Sequence, residues 1–224
     1  MSVFISFLKK LLISSYIATA SVSPSVPSLP ADRQAPLSVS GASLIEVTGQ
    51  TREIARSVKM DVPKVPFYSQ FADISDPKWQ GLGCGVASLA MLIEFYKPGI
   101  VNVDNLLQEG INAGAFIPGA GWSHNGLVLI ANKYGLRGST QDLSKLDSDA
   151  TLAQLEELLN EGPVIASVHY KLEPGNPIPH LIVVNGIKDG LVYFNDPASA
   201  FGGKTISVQD FMKAWKKRII VVRP

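Results

Sequence analysis

The chain predicts an α+β domain in which a helical lobe is followed by an antiparallel sheet lobe. Three observations carry that expectation. Apolar residues recur at helical spacing between Val86 and Gly162, the texture turns to β-branched runs after Pro163, and Asp189-Gly190 separates two of those runs at hairpin distance. Helices gathered in one half and strands in the other bury their apolar faces as two lobes. A cleft is expected where the first helix start meets the strands.

Taken in order, Val65-Pro66-Phe67-Tyr68-Ser69-Gln70 reads as a short opening strand, and a loop containing Trp79 leads to Gly83-Cys84-Gly85. Val86, Leu89, Ala90, Leu92, Ile93 and Tyr96 then share a helical face, and Pro98-Gly99 ends the helix. A second helix is expected from Val103 to Asn112. A third begins near His124, with Leu127, Ile130, Ala131 and Tyr134 on one face and Gly135 as its cap. Thr151-Leu152-Ala153-Gln154 matches a capping box and opens a fourth, which Gly162-Pro163 ends. Beyond it, Val164 to Tyr170, Leu181 to Ile187, Leu191 to Asn195, Lys204 to Val208 and Arg218 to Val222 read as strands.

The chain has 224 residues, 46% of them hydrophobic and 17% charged, which suits one sizeable core plus a tail. Before the domain, residues 1–20 read as a signal peptide or amino-terminal anchor: Lys9 and Lys10 precede an apolar stretch, and Ala18-Thr19-Ala20 has the small-x-small pattern of a cleavage site. Residues 21–61 read as a Ser/Pro-rich linker or prosegment, and 62–224 as the folded domain. A secreted or cell-envelope location follows as an expectation, with membrane attachment only through the amino-terminal segment. The net charge of +1 gives no general electrostatic reason to bind nucleic acid. The cluster Lys213, Lys216, Lys217, Arg218 reads as a solvated face beside the last strand.

Chemistry centres on Cys84, the only cysteine, placed where a glycine-rich turn gives way to a helix. Burial alone explains most such thiols, but the amino end of a helix also favours a thiolate. His180 stands at the start of a strand, and the Asp189-Gly190 hairpin returns the chain to Asn195-Asp196 beside it. A cysteine, a histidine and a group that orients the histidine make up the set needed for thiol nucleophilic catalysis. Adjacent strand residues face opposite ways, so only one of Asn195 and Asp196 can serve, and the pattern leaves that choice open. Trp122 and His124 suit either the cleft wall or the core beside a helix cap, and His169 reads as structural. No pair among Cys84, His124, His169 and His180 has a recognised metal spacing, so neither metal nor cofactor is expected.

Tyr68-Ser69-Gln70, Gly83-Cys84-Gly85, His180 before an apolar strand and Asp196-Pro197 together resemble the papain-like C39 peptidase family, in particular its stand-alone C39-like branch. Gly121-Trp122-Ser123-His124 and Phe211-Met212-Lys213-Ala214-Trp215 extend the similarity, which spans roughly Val62 to Val222. The resemblance implies a papain-like fold and a cysteine peptidase acting on a peptide or protein. It implies Cys84 as nucleophile, His180 as base and then acid, Asp196 as the residue holding the imidazole, and Gln70 as an oxyanion donor beside the Cys84 backbone N–H. Better-known members are fused to transporters and cut leader peptides after a double glycine, a substrate not carried over to this chain. A papain-like amidase or acyltransferase and a non-catalytic peptide-binding module are the alternatives.

Overall fold

The computed structural model describes residues 61–224. The expectations for the amino-terminal segment and the spacer therefore lie outside the described residues, apart from Asp61. Among the described residues no helix is long and apolar enough to cross a membrane.

The expected opening strand does not join a sheet. Residues 65–70 run extended without a ladder, in keeping with Pro63 and Pro66, which supply no N–H. The stretch is tied down otherwise: Asn195 Nδ2 donates to the Val65 carbonyl at 3.1 Å, and Gln70 N–H donates to the Pro197 carbonyl at 2.8 Å. A short helix α1 (Pro77–Gln80) follows, with Asp76 as its cap.

Helix α2 (Cys84–Tyr96) is apolar nearly all round, and every residue from Gly85 to Ile93 is buried. Such a helix belongs in the middle of a core. Helices α3 (Val103–Asn112) and α4 (His124–Lys133) pack against it, capped by Asn102 and Ser123. A two-stranded hairpin, β1 (Phe116–Ile117) and β2 (Gly121–Trp122), lies between them. Helix α5 runs over Ser148–Asn160, three residues ahead of the expected start. Asp147 is the true cap, accepting from Ala150 N–H at 2.9 Å, while the Thr151 hydroxyl donates back to the Asp147 carbonyl at 2.6 Å. A carboxylate at the cap and a threonine one turn later both fit the pattern, and the carboxylate takes the role.

Strands β3 (Arg137–Asp142), β4 (Val164–His169), β5 (Pro179–Lys188), β6 (Leu191–Asn195), β7 (Lys204–Ser207) and β8 (Trp215–Arg223) form one antiparallel sheet in the order β3-β8-β4-β5-β6-β7. Helix α6 (Val208–Ala214) precedes β8 directly. β3 is an edge strand whose sequence, RGSTQD, is exposed or half-buried throughout and alternates in neither burial nor hydrophobicity, so the pattern gave no sign of it. At the β5–β6 turn Asp189 and Gly190 both have positive φ (53° and 76°), the geometry a two-residue hairpin requires.

The sheet is buried on both faces. One face carries Ile165, Leu181, Val183 and Ile220 against α2, α3 and α4; the other carries Ala166, Ile182, Val184 and Ile219 against Leu155 of α5 and Phe211 of α6. Double burial is why Val164–Val168 and Leu181–Val184 read as continuous apolar runs. The carboxyl end of β8 also closes α5: the Arg223 guanidinium donates to the carbonyls of Leu158, Gly162 and Pro163 at 2.6–3.0 Å.

Candidate active site

Cys84 is the first residue of α2, and its two glycine neighbours have steric rather than conformational reasons to be there. A Cβ on Gly83 would overlap the Ile74 side chain, and one on Gly85 would lie 2.6 Å from Trp122 Cγ. The Trp122 indole is slotted between Gly85 and Gly110 and is fixed by its Nε1–H, which donates to the Leu82 carbonyl at 2.6 Å. The Gly-Cys-Gly motif thus seats the helix start against Ile74 on one side and Trp122 on the other. Gly83, as cap, offers no side-chain acceptor, so the first N–H groups of α2 remain open at the thiol.

His180 reaches the thiol from β5. The two elements are fastened one residue away, where the Ser88 hydroxyl of α2 donates to the Leu181 carbonyl at 3.3 Å. His180 Nε2 lies 2.7 Å from Asp196 Oδ1, both residues are buried, and the imidazole lines one pocket with Cys84. With Nε2 engaged by the carboxylate, Nδ1 is the ring nitrogen left for the sulfur. Burial pulls the His180 pKa down, but hydrogen bonds to Asp196 and Cys84 and their charges outweigh it and hold it at about 9. Burial likewise pushes Asp196 up, and the His180 hydrogen bond and charge outweigh it, holding the carboxyl below its ordinary value. Asp196 also accepts from Ala198 N–H at 2.9 Å, and the Tyr170 ring meets the imidazole edge-on with centroids 5.2 Å apart.

The choice between Asn195 and Asp196 is made by a bulge. β5 and β6 pair Lys188 with Leu191 and Gly186 with Tyr193, then slip by one so that Val184 meets Phe194 and Val183 meets Asn195. The unpaired residue is Asn185. Continued by one residue, this register sets Asp196 across from Ile182, two places from His180 and on the same face. Asn195 turns the other way, donating to the carbonyls of Val65 and Pro66 and accepting from Gly203 N–H at 2.8 Å. Were Asn185 paired with Phe194 in an unbroken ladder, Asn195 would meet Val184 and the two would exchange faces.

Gln70 is 3% exposed. Its Nε2 donates to the Gln80 carbonyl at 2.7 Å, its Oε1 has no partner among the described residues, and its Cβ lies 3.5 Å from the position of a Cβ on Gly83. The amide is held next to the residue preceding Cys84, with a second N–H that has no acceptor among the described residues. Trp122 and His124 both line the pocket beside Cys84, whereas His169 lies at the end of β4 with Nδ1 2.9 Å from the Asn176 carbonyl. Lys216 and Arg218, expected to lie on a solvated face, line the same pocket of about 300 Å³. They and Tyr170 are the residues that sequence reasoning missed. For the two cations strand periodicity gave no signal, because Lys216 and Lys217 are unpaired opposite β4 and Lys217 takes a left-handed φ of 56°.

A papain-like α+β fold with a thiol, an imidazole and a carboxylate in sequence defines this as a cysteine peptidase-like protein. The chain belongs to the Peptidase_C39 like family, whose model matches residues 62–219. Two solved structures share the fold. One is a double-glycine-motif protease from an AMS/PCAT transporter in complex with its leader peptide: 24% identity, 75% of this chain and 96% of that chain covered, TM-score 0.52. The other is described as a putative C39-like peptidase from Bacillus anthracis: 19% identity, 72% of this chain and 94% of that chain, TM-score 0.53. No curated protein matches the chain significantly.

Proposed function

We propose that the protein is a cysteine peptidase that hydrolyses peptide bonds through an acyl-thioester on Cys84. The observation that carries this reading is the buried His180 imidazole, held to Asp196 at 2.7 Å and lining one pocket with Cys84. A thiol peptidase attacks as thiolate, and a charged imidazole in contact is the partner that stabilises it. The sulfur bonds to the substrate carbonyl carbon while the π pair moves onto oxygen, which accepts from the Cys84 N–H and Gln70 Nε2. Collapse breaks the C–N bond, and the amine leaves with the His180 proton. Water then gives a proton to His180 as its oxygen bonds to the thioester carbon. Loss of the C–S bond releases the carboxyl product and restores the thiolate–imidazolium pair.

The test is digestion of a defined peptide mixture with products read by mass spectrometry. Cys84→Ala is expected to abolish cleavage, and His180→Ala to slow it by at least about a thousandfold. Intact mass after rapid acid quench is expected to show an acyl adduct that added amines shorten. An intact peptide mixture, with Cys84 alkylated no faster in the native than in the unfolded protein, would refute the proposal.

A further inference from the structure

The pocket beside Cys84 and His180 has a one-sided charge. Lys216 and Arg218 enter it from β8, and no carboxylate side chain among the described residues lines it. The placement comes from an irregularity in the sheet. Arg218 pairs with Ser167 but Trp215 with Val168, so Lys216 and Lys217 are extra residues, and Lys217 takes a left-handed φ of 56°. Lys217 is sent away to the Leu146 carbonyl, while Lys216 and Arg218 keep to the pocket side. Among the described residues the only carboxylate on either is Asp142, 3.3 Å from Arg218 Nε in a pair more than half exposed, which neutralises little. Lys216 has no ion-pair partner among the described residues. Burial and then the Arg218 charge hold its ammonium below the ordinary lysine range, and burial and then Arg218 do the same to His124 across the pocket. Ser167, 7% exposed, lines the pocket with a hydroxyl that makes no hydrogen bond to the described residues.

We propose that this pocket receives a carboxylate of the peptide substrate, held by Lys216 and Arg218 with the Ser167 hydroxyl as an added donor. Given the peptidase reading on which this rests, the ligand is an acidic side chain or the free carboxyl terminus, placed close to the bond that Cys84 attacks. Two basic groups and a hydroxyl donor, with the one carboxylate on Arg218 lying outside the pocket lining, make up the donor set for such an anion.

Because Cys84 is the only thiol, the anion preference is read directly from alkylation by iodoacetate and iodoacetamide, reagents alike in size and different in charge. At neutral pH the iodoacetate-to-iodoacetamide rate ratio is expected to fall about tenfold in Lys216→Gln and to recover in Lys216→Arg. The ratio cancels any general change in thiol reactivity, and the conservative variant separates lost charge from a disturbed fold. An unchanged ratio in Lys216→Gln overturns the inference. A peptide library made with free and with amidated carboxyl termini then identifies the source. Cuts at a fixed distance from Asp or Glu in both sets indicate a side chain, and cuts near the free terminus that vanish on amidation indicate the terminal carboxylate. Cuts without bias toward either overturn the inference while leaving the peptidase reading standing. No cuts, together with a tenfold fall in the ratio, would instead overturn the peptidase reading and keep the anion site.

Discussion

Asp196→Asn asks whether the carboxylate charge, rather than hydrogen bonding alone, sustains the charged imidazole. Asparagine preserves the shape and can still meet His180, so the ring stays oriented while the charge is lost. In the wild-type protein His180 is held at about 9 against an ordinary 6.5, and at about 1.4 kcal/mol per pH unit this is about 3 kcal/mol favouring the imidazolium. Burial, the largest single influence, opposes the charge, and the carboxylate is one of only two groups that overcome it, the other being Cys84. Without it the midpoint is expected to drop by about two pH units. The assay is an NMR titration of the histidine ring carbons, with His180 assigned by its loss in His180→Gln. A midpoint that stays near 9 in Asp196→Asn would refute the reasoning.

The same shift sets a stability window. A group with a raised folded-state pKa contributes fully below its unfolded value and loses the contribution as pH climbs through the folded one, so for His180 the loss runs from about 6.5 to about 9. Asp196, with a depressed pKa, contributes above 3.8 and loses its share as pH falls below it. His180 is 3% exposed, so solvent screens little of the interaction. Urea unfolding at pH 6 and pH 10, wild type minus His180→Gln, is expected to differ by about 3 kcal/mol.

Three further outcomes are expected. Gln70→Ala should lower kcat by about a hundredfold with little change in KM, since one oxyanion donor is worth about 3 kcal/mol; a pure KM effect in steady-state peptide cleavage would count against the donor role. Gly85→Ala drives a methyl into Trp122 and should cost about 1–3 kcal/mol in chemical denaturation while slowing Cys84 alkylation, because the indole also lines the pocket. Ser88→Ala removes the bond between α2 and the β5 residue after His180, and should cost about 1 kcal/mol in the same unfolding assay with a larger loss in alkylation rate than in stability.

Most of the sheet was legible because its central strands are buried on both faces, and continuous β-branched runs have few other readings. The edge strand β3 was illegible for the converse reason: five polar residues out of six, RSTQD around one glycine, satisfy an edge position without any apolar signature. The 65–70 segment misled in the other direction, since Val65, Phe67 and Tyr68 have strand-like side chains but the stretch is anchored by Asn195 and the Pro197 carbonyl instead of a ladder. Helix starts were legible to within a turn. At α5 the capping pattern of Thr151 competed with Asp147, and local spacing does not rank two good caps.

The site itself was legible as chemistry and not as register. Cys84 and His180 announce themselves by residue type and by position at element starts, but the orienting group depends on whether β5 carries an extra residue, and Asn185 looks like any other strand position in a run of Val and Gly. The two β8 cations depend on the same device, an insertion opposite β4 at Lys216 and Lys217. Each irregularity therefore decides one functional side chain: one aims Asp196 at His180, and the other turns Lys216 toward the thiol's pocket. That dependence makes a deletion more informative than a substitution. Removing Asn185 should give a regular β5–β6 ladder in which Val184 still meets Phe194 and Asp196 still lies across from Ile182, so the carboxylate stays on the His180 face and the imidazole midpoint stays near 9. If the deletion protein folds and its midpoint falls as in Asp196→Asn, the pairing beyond the bulge does not hold the carboxylate on that face.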